Sequence, residues 1–472
     1  MSTASSALSS LLSSSSTSAT DISSILEAAL GASSPGIDVT SAVNSAVTAA
    51  QAPETAWQNQ ESAIQSQISA LTQIQTDASN LDNDMQSLNS ITGPLSAMTV
   101  NSSNANVVSA SAASGSSVGN HVIVVNSLAT TASWTSGTFA SSSTTMPAGS
   151  FTITPTTGTA KTITTDGTET LSSVASQINS DALGVTASVI TDATGSRLAI
   201  VANSSGAAAN FTVSTSGSTA YGFAQAATGA NASLTVDGIT IASASNSVTG
   251  AIPGVTLSLL SADPGVDVSL GVSPDTVQIQ TALQQFVTDY NTVVTDLSAQ
   301  FTFSGSSEGV LSTDSTVRNL QSDVLGALDY TYTPASGATT VPNLTSLGIS
   351  VDNNGKLSLD TSTLTSALQN NFSDVQNFFQ GTALNGFANS LDQQLTNFIS
   401  PSDGAFTVDL QSMNSQITTL QTNISDFETN FITPLRTQLQ SEYSQAEIAL
   451  QELPNEMKQI STELGQNSSS NG

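Results

Sequence analysis

ESAIQSQISALTQIQTDASNLDNDMQSLN, residues 61–89, repeats apolar side chains at intervals of three and four. This spacing marks one face of an α-helix and, when sustained, is typical of a coiled coil. At about 1.5 Å per residue, the helix predicted for residues 56–91 is about 50 Å long, and Gly93-Pro94 ends it. The predicted seam, with one phase slip between Leu71 and Ile74, consists of Ile64, Ile68, Leu71, Ile74, Ala78, Leu81, Met85 and Leu88.

The C-terminal part of the chain has the same periodicity. Its first seam consists of Leu410, Met413, Ile417, Leu420, Ile424, Phe427 and Phe431. Thr433 then resembles a helix cap, with Pro434 at the first position of a new helix. An interior proline, Pro454, is expected to kink or restart that helix. The second seam consists of Tyr443, Ala446, Leu450, Leu453, Met457, Ile460 and Leu464.

Two arrangements of these helices are compatible with the pattern. Each helix could pack on the core of its own domain, or the helices from the two chain ends could pair. The shared period of three separate seams favours pairing. In that case both ends form one elongated bundle, and everything between them is an insertion into it.

Between the seams, the period changes to the alternation of β-strands. A short apolar β run follows His121, and polar and apolar residues alternate over 151–154 and 162–164. Both Asp192–Gly195 and Asp237-Gly238 are typical of hairpin turns. A single short amphipathic helix is expected from Leu171 to Ile178. Helical spacing returns over residues 277–297.

These patterns predict an α+β multidomain protein, in which an elongated helical coiled-coil leg formed by both chain ends carries inserted β-rich head domains. The two ends are expected to be disordered, as a terminal segment at 1–52 and a tail at 465–472. The leg is expected to comprise an N-terminal part at 53–100 and a C-terminal part at 275–464, which contains a small β-hairpin near 347–360. Between them, the head domain is expected in two parts, at 101–132 and 229–274, with an outer head domain (β with one short helix) at 133–228.

The chain is strongly acidic, since 35 Asp and Glu against 6 Lys and Arg give a formal net charge of −29. Such a chain repels phosphate backbones and anionic lipids, so we expect no nucleic-acid partner and no membrane binding. No apolar run reaches the roughly 18–20 residues of a membrane span, so we expect no membrane insertion. The Ser-rich start lacks the basic and apolar regions of a cleavable secretion signal. The chain as a whole is nevertheless rich in uncharged polar residues, and this composition is typical of a secreted protein.

Few residues could support catalysis. His121 is the sole histidine, cysteine is absent, and no nucleophile-elbow motif occurs. Paired carboxylates of a glycosidase cannot be excluded by counting, but only 2 Trp are available to stack on sugars. Asp352-Asn353-Asn354-Gly355 lacks the later glutamate of a calcium loop and fits a turn between strands. We therefore expect no enzyme, no metal and no cofactor, but a structural or binding role.

Several motifs resemble those of the bacterial flagellar filament cap protein family, also called the hook-associated protein 2 family. LGISVDNNGKLSLDTSTLTSALQNNFSDVQNFFQG, residues 347–381, contains its Leu-Gly-Ile strand, Gly-Lys-Leu turn and terminal Phe-x-Gly. SLTVDGITIASASNSVTGAIPGVTLSLLSA, residues 233–262, contains Val-Asp-Gly and Gly-Val-Thr-Leu in the family's order. Three further matches in order are FVTDYNTVVTDL at 286–297, GVLSTDSTVRNL at 309–320 and GIDVTSAV at 36–43. The chain departs from the family in two respects. It lacks the Gly-Ser-Gly that often precedes the family's Leu-Asp and reads Ser34-Pro35-Gly36-Ile37-Asp38 instead, and its basic residues are scarce.

The resemblance implies export through the flagellar type III apparatus, with an uncleaved N-terminal signal and an export chaperone. It implies self-assembly into a ring of about four to six subunits at the distal tip of the extracellular filament. The other implied partners are flagellin, filament-tip subunits and, in some species, host surface ligands. The ring would promote flagellin folding and insertion, and so motility. The competing interpretations are a secreted adhesin and another flagellar axial protein, either a hook–filament junction protein or one like flagellin.

Overall fold

The computed structural model describes residues 38–216, 221–302, 308–334, 337–382 and 385–468, with the side chains at 453, 454, 457, 458 and 460–468 excepted. The chain divides into two compact units. The first, here the end unit, comprises residues up to Thr76, Leu297–Arg318, and residues from Phe398 onward. The second, here the central unit, comprises Asp77–Asp296 and Asn319–Asn397. Long terminal helices and a β-rich middle confirm the predicted α+β multidomain class.

The end unit is built from helices at both ends of the described chain. Helix α1 (Val39–Ala50) begins at Asp38, whose side chain accepts a hydrogen bond from the Ser41 amide at 3.0 Å. The next helix, α2 (Ala52–Asn89), starts in the end unit and continues into the central unit. At the other end of the chain, a continuous helical run consists of α9 (Ala405–Phe427), a π-helical turn (Glu428–Ile432) and α10 (Thr433–Ser468).

Helix α1 corrects the prediction that residues 1–52 are disordered. Its apolar residues follow one face of the helix, and Val43 and Val47 are each 1% exposed. They pack with Ile432, with Val39 and Ala50 at the edge of the same cluster. The contacts of this buried stripe stabilise the helix. The Ser-rich composition of residues 1–52 did not indicate that such contacts would form. The predictions for residues 1–37 and 469–472 lie outside the described residues.

The central unit contains two β-rich cores. The first core lies between a four-stranded sheet in the order β10-β4-β8-β7, a three-stranded sheet in the order β6-β5-β9, and helix α3 (Leu171–Ser180). All pairings in both sheets are antiparallel. The strands are β4 (Ser133–Thr135), β5 (Gly149–Pro155), β6 (Lys161–Thr165), β7 (Val185–Asp192), β8 (Gly195–Ala202), β9 (Phe211–Ser216) and β10 (Ala224–Ala227).

The second core lies between a five-stranded sheet in the order β1-β15-β3-β11-β12 and a three-stranded sheet in the order β13-β14-β2. Strand β1 pairs with β15, so the five-stranded sheet begins at Met98. This residue lies within 53–100, the stretch that the sequence predicts as the N-terminal part of the leg. The strands are β1 (Met98–Ser102), β2 (Val108–Ala112), β3 (Gly119–Ser127), β11 (Ala232–Val236), β12 (Ile239–Ser243), β13 (Ser247–Ile252), β14 (Val255–Leu259) and β15 (Val268–Pro274).

The turn between β11 and β12 shows why the sequence forms a hairpin there. Asp237 and Gly238 have φ angles of 50° and 82°, which a two-residue hairpin of this kind requires. Aspartate is among the few residues besides glycine that adopt the left-handed region readily. Asp237 Oδ1 also accepts from the Val122 amide of β3 at 2.9 Å, which ties the turn to the neighbouring strand.

Helices complete the central unit. Helix α4 (Thr276–Phe301) crosses from this unit into the end unit, and α5 (Ser315–Gly326) begins at the boundary between them. Strands β16 (Ile349–Val351) and β17 (Leu357–Leu359) form an antiparallel hairpin. Helices α6 (Thr361–Asn370), α7 (Phe372–Gln380) and α8 (Phe387–Ile399) follow. An aromatic cluster joins α4, α7 and α8 with Tyr330, and consists of Phe286, Tyr330, Phe378, Phe379 and Phe387. In the described ranges, no helix has both the length and the apolarity to cross a membrane.

Candidate functional site

The N-terminal seam lies on α2. Ile68 is half-buried, and the other seam residues are buried, namely Ile64, Leu71, Ile74, Ala78, Leu81, Met85 and Leu88. In the central unit, the Gln380 amide donates to the carbonyl of Leu88 at 3.1 Å and to that of Ser90 at 3.0 Å. The first bond satisfies the Leu88 carbonyl, which lies in the last turn of the helix and has no partner within it. The seam face of α2 is therefore covered and its C-terminal end is anchored.

The C-terminal seam is less completely covered. Leu420 is 7% exposed, while the half-buried residues are Leu410, Met413, Ile417, Ile424, Phe427 and Leu450. The side chains of Leu453, Met457, Ile460 and Leu464 lie outside what the structure describes. Helix α10 continues through position 454 to Ser468.

The structure differs from the predicted seam at Phe431, which is 46% exposed, whereas its neighbour Ile432 is fully buried. The cause is the π-helical turn at Glu428–Ile432. A π turn adds one residue to the helical repeat, so the inward face passes from Phe427 to Ile432 rather than to Phe431. The same turn precedes Pro434, which has no amide hydrogen to donate. The helical run continues through Thr433-Pro434 without a break, which corrects the prediction that Thr433 caps the start of a new helix.

Contacts within the end unit join the two chain ends. Trp57 of α2 meets Phe427 of α9 edge to face, with ring centroids 5.6 Å apart. The Gln421 amide donates to Glu61 Oε1 at 2.7 Å. Helix α1 packs against the π turn through Ile432. A helical pairing of both chain ends is thus formed by aromatic, aliphatic and polar contacts together.

The end unit also presents apolar side chains to solvent, namely Val408 at 54%, Phe431 at 46% and Ile448 at 58% exposure. A shallow groove beside the Trp57–Phe427 contact is lined by Glu54, Gln58, Glu61 and Gln421, among others. These side chains can accept and donate hydrogen bonds.

The residues considered for chemistry have local structural partners. His121 Nδ1, on β3, lies 2.7 Å from Oδ2 of Asp237, which is in the turn between β11 and β12 of the same sheet. This bond is the largest of the causes that lower the pKa of Asp237. Asp352 Oδ1 accepts from the Asn354 and Lys356 amides and closes the hairpin turn. Among the described residues, no group of three or more His, Cys, Asp or Glu is placed to hold a metal ion.

The sequence reasoning missed a set of facing carboxyl groups on α2 in the central unit. Burial and a neighbouring carboxyl raise the pKa of Asp82 to about 7, the neighbour being Asp392 of α8. In the same way, burial and Asp289 of α4 raise the pKa of Asp84 to about 7. A signal was present, because both acids lie beside seam positions and so near the covered face of the helix.

Three family models match the chain. One described as flagellar hook-associated protein 2 N-terminus matches residues 35–132, and one described as flagellar hook-associated protein 2 C-terminus matches residues 229–457. A third, described as flagellin hook IN motif, matches residues 150–204. All three descriptions name flagellar proteins, and none names an enzyme.

Individual proteins are similar over part of the chain. Flagellar hook-associated protein 2 of Aeromonas caviae is 26% identical over 223 residues, which are 43% of this chain and 47% of that protein. The B-type flagellar hook-associated protein 2 of Pseudomonas aeruginosa is 29% identical over 208 residues, 42% of this chain and 41% of that protein. The matched region thus spans less than half the length of these relatives. The crystal structure of the flagellar cap protein FliD from Escherichia coli matches with a TM-score of 0.60 and 25% identity, covering 73% of this chain and 99% of that one.

Proposed function

Because this chain belongs to the flagellar hook-associated protein 2 family, as its motifs predicted, we propose that it caps the distal tip of the bacterial flagellar filament. The observation that carries the proposal is the structural match to a flagellar cap protein over almost the whole of that protein's solved chain. The order of the two hook-associated protein 2 matches along the chain supports it, since they flank the residues of the first β-rich core.

The arrangement of the end unit suits a cap. Its helices come from both chain ends and are joined by the Trp57–Phe427 contact and by the packing of α1 on Ile432. The exposed Phe431, Val408 and Ile448 supply apolar surface for neighbouring copies or for filament-tip subunits. The half-buried C-terminal seam has the intermediate coverage expected of helices that exchange contacts during assembly.

The proposed partners follow the family resemblance. Several copies, about four to six, form a ring outside the cell, and incoming flagellin folds and inserts beneath it. The chain reaches the tip through the flagellar type III export apparatus, assisted by a chaperone. The head domains are available for host surface ligands and adhesion. No cofactor enters this function, because the work is steric and driven by binding.

The test is deletion of the gene in the bacterium that encodes it, followed by complementation. We expect the deletion strain to release unpolymerised flagellin into the medium and to lose motility, and the wild-type gene to restore both filaments and motility. Immunogold labelling of the complemented strain is expected to mark the distal filament tip.

Other labelling patterns would reject the proposal in distinct ways. Gold spread over the cell body, with normal filaments in the deletion strain, would indicate an adhesin. Gold at the filament base would indicate a hook–filament junction protein, and gold along the filament would indicate a flagellin-like subunit.

A further inference from the structure

Three pairs of carboxyl groups face one another between helices of the central unit. The partners of each pair lie on different helices, with one member always on α2. The pairs are Asp77 with Asp296 of α4, Asp84 with Asp289 of α4, and Asp82 with Asp392 of α8. All six residues lie within the central unit.

Burial makes these pairs unusual in so acidic a protein. Asp77 and Asp82 are each only 6% exposed. Asp82 Oδ1 and Asp84 Oδ2 are buried and accept no hydrogen bond from an amide or hydroxyl donor. Each belongs to a carboxyl group that is within hydrogen-bonding reach of another carboxyl. Two carboxyl groups can form a hydrogen bond only when one of them carries a proton.

The groups around the pairs do not supply compensating positive charge. Gln86 donates to Asp82 Oδ2 at 2.8 Å, and Gln285 donates to Asp289 Oδ2 at 2.9 Å. Both donors are neutral. The ion pairs His121–Asp237 and Lys161–Asp181, both within the described ranges, involve neither Asp82 and Asp84 nor the acids that face them. The charged groups that face Asp82 and Asp84 are therefore other acids, Asp392 and Asp289.

We propose that the Asp82–Asp392 and Asp84–Asp289 pairs form a proton-operated clamp, which holds α2 to α8 and α4 in mildly acidic medium and loosens the same helices as the medium becomes alkaline. The ligand of this device is the proton. The proposal depends on the geometry of the central unit and not on the capping function.

The direction follows from the ionisation of the pairs. Burial, followed by repulsion from the facing carboxyl, raises the pKa of Asp82 and of Asp84 to about 7, and the same causes raise the pKa of Asp296. In an unfolded chain, aspartate titrates near about 4. A group whose pKa is higher in the folded state stabilises the fold fully below its unfolded pKa. That contribution is lost as the pH rises through the folded value. The clamp therefore releases between about pH 5 and pH 8.

The experiment is urea unfolding of the full chain, followed by circular dichroism at pH 5, 6, 7 and 8. We expect the urea midpoint to fall steadily as the pH rises. The double variant Asp82→Asn with Asp84→Asn replaces each ionisable group with an amide that can still donate a hydrogen bond. Its midpoint is expected to fall less than half as far over the same range, and to lie above that of the wild type at pH 8.

A matched control is Asp323→Asn, because Asp323 is an exposed aspartate of α5 in the same unit. This variant is expected to keep the full decline of the wild type. A wild-type midpoint that is constant or rises from pH 5 to pH 8 would overturn the proposal. So would a double variant that declines as steeply as the control.

A second measurement does not depend on any variant. Unfolding the wild type at pH 6 is expected to release about one proton from the Asp82–Asp392 pair and one from the Asp84–Asp289 pair. Calorimetry in buffers of different ionisation enthalpy counts these protons. An unfolding enthalpy that is the same in every buffer would also overturn the proposal.

Discussion

Ile432 and Phe431 are adjacent in sequence but have opposite environments, fully buried and 46% exposed respectively. Ile432 holds α1 to the C-terminal helices, together with Val43 and Val47. Phe431 instead stacks on Phe427, with ring centroids 5.1 Å apart, and keeps one face in solvent. The smaller of the two side chains therefore contributes more to the stability of the end unit.

We expect Ile432→Ala to lower the free energy of unfolding by about 2–5 kcal/mol, as truncation of a buried aliphatic side chain usually does. Amides of α1 should also exchange hydrogen faster, which mass spectrometry after deuterium labelling can measure. The matched control, Phe431→Ala, should cost less than Ile432→Ala. A larger loss for Phe431→Ala would contradict the assignment of the inward face.

Asp374 illustrates the opposite pH response from that of the carboxyl pairs. Its Oδ2 accepts from the Thr340 amide and hydroxyl, each at 2.7 Å, and these bonds lower its pKa. A lowered pKa means that the ionised group stabilises the fold above its unfolded pKa of about 4, and that this contribution is lost as the pH falls through the folded value.

We therefore expect Asp374→Ala to melt below the wild type at pH 7 and to approach the wild-type melting temperature as the pH falls below about 4. Thermal melts from pH 7 to pH 2.5 measure the difference. If the difference is as large at the lowest pH as at neutrality, ionisation of Asp374 is not its source. Together with the carboxyl pairs, this residue places greatest stability in the mildly acidic range.

At the scale of elements, the π-helical turn is the feature with the widest effect. It moves the inward face of the C-terminal helix by one residue and leads directly into Thr433-Pro434. In a regular α-helix, the next inward-facing residue after Phe427 lies four positions further on, at Phe431. Here it lies five positions further on, at Ile432. Such one-residue insertions occur frequently at functional positions of helices.

Deletion of Asn430 tests this interpretation. We expect the shortened chain to form an α-helical segment in place of the π turn, to keep α1 docked on the former Ile432, and to melt at or above the wild-type temperature. Circular dichroism and hydrogen exchange on α1 provide the measurements. Loss of α1 protection would mean that the π turn is required for docking.

The elements differ in how far the sequence predicted them. The seam on α2 was readable because seven of its eight apolar positions are buried, and the Asp237-Gly238 turn was readable because its backbone angles suit few other residues. The π turn was not, since both Phe431 and Ile432 are apolar and a regular period selects Phe431. Helix α1 was not predicted because the sequence around it is rich in Ser. The carboxyl pairs were not predicted because their members lie on helices that are distant in sequence.

At the scale of the whole molecule, the net charge of −29 opposes association between copies. Added salt screens this repulsion, with a Debye length of about 10 Å at 0.1 M and about 3 Å at 1 M. We expect light scattering on the full chain to report a larger mass as sodium chloride rises from 0.05 to about 0.5 M, reaching a discrete assembly of about four to six copies. An unchanged monomer mass at every salt concentration would contradict spontaneous ring formation.

The packing of α1 on Ile432 joins residues that are separated by most of the chain. Contacts of such sequence separation form late, because the intervening loop must be closed first. If the chain is delivered N-terminus first, through a ribosome or a channel, α1 has no partner until nearly all of it has emerged. The docking of α1 therefore reports that the chain has emerged at least as far as Ile432.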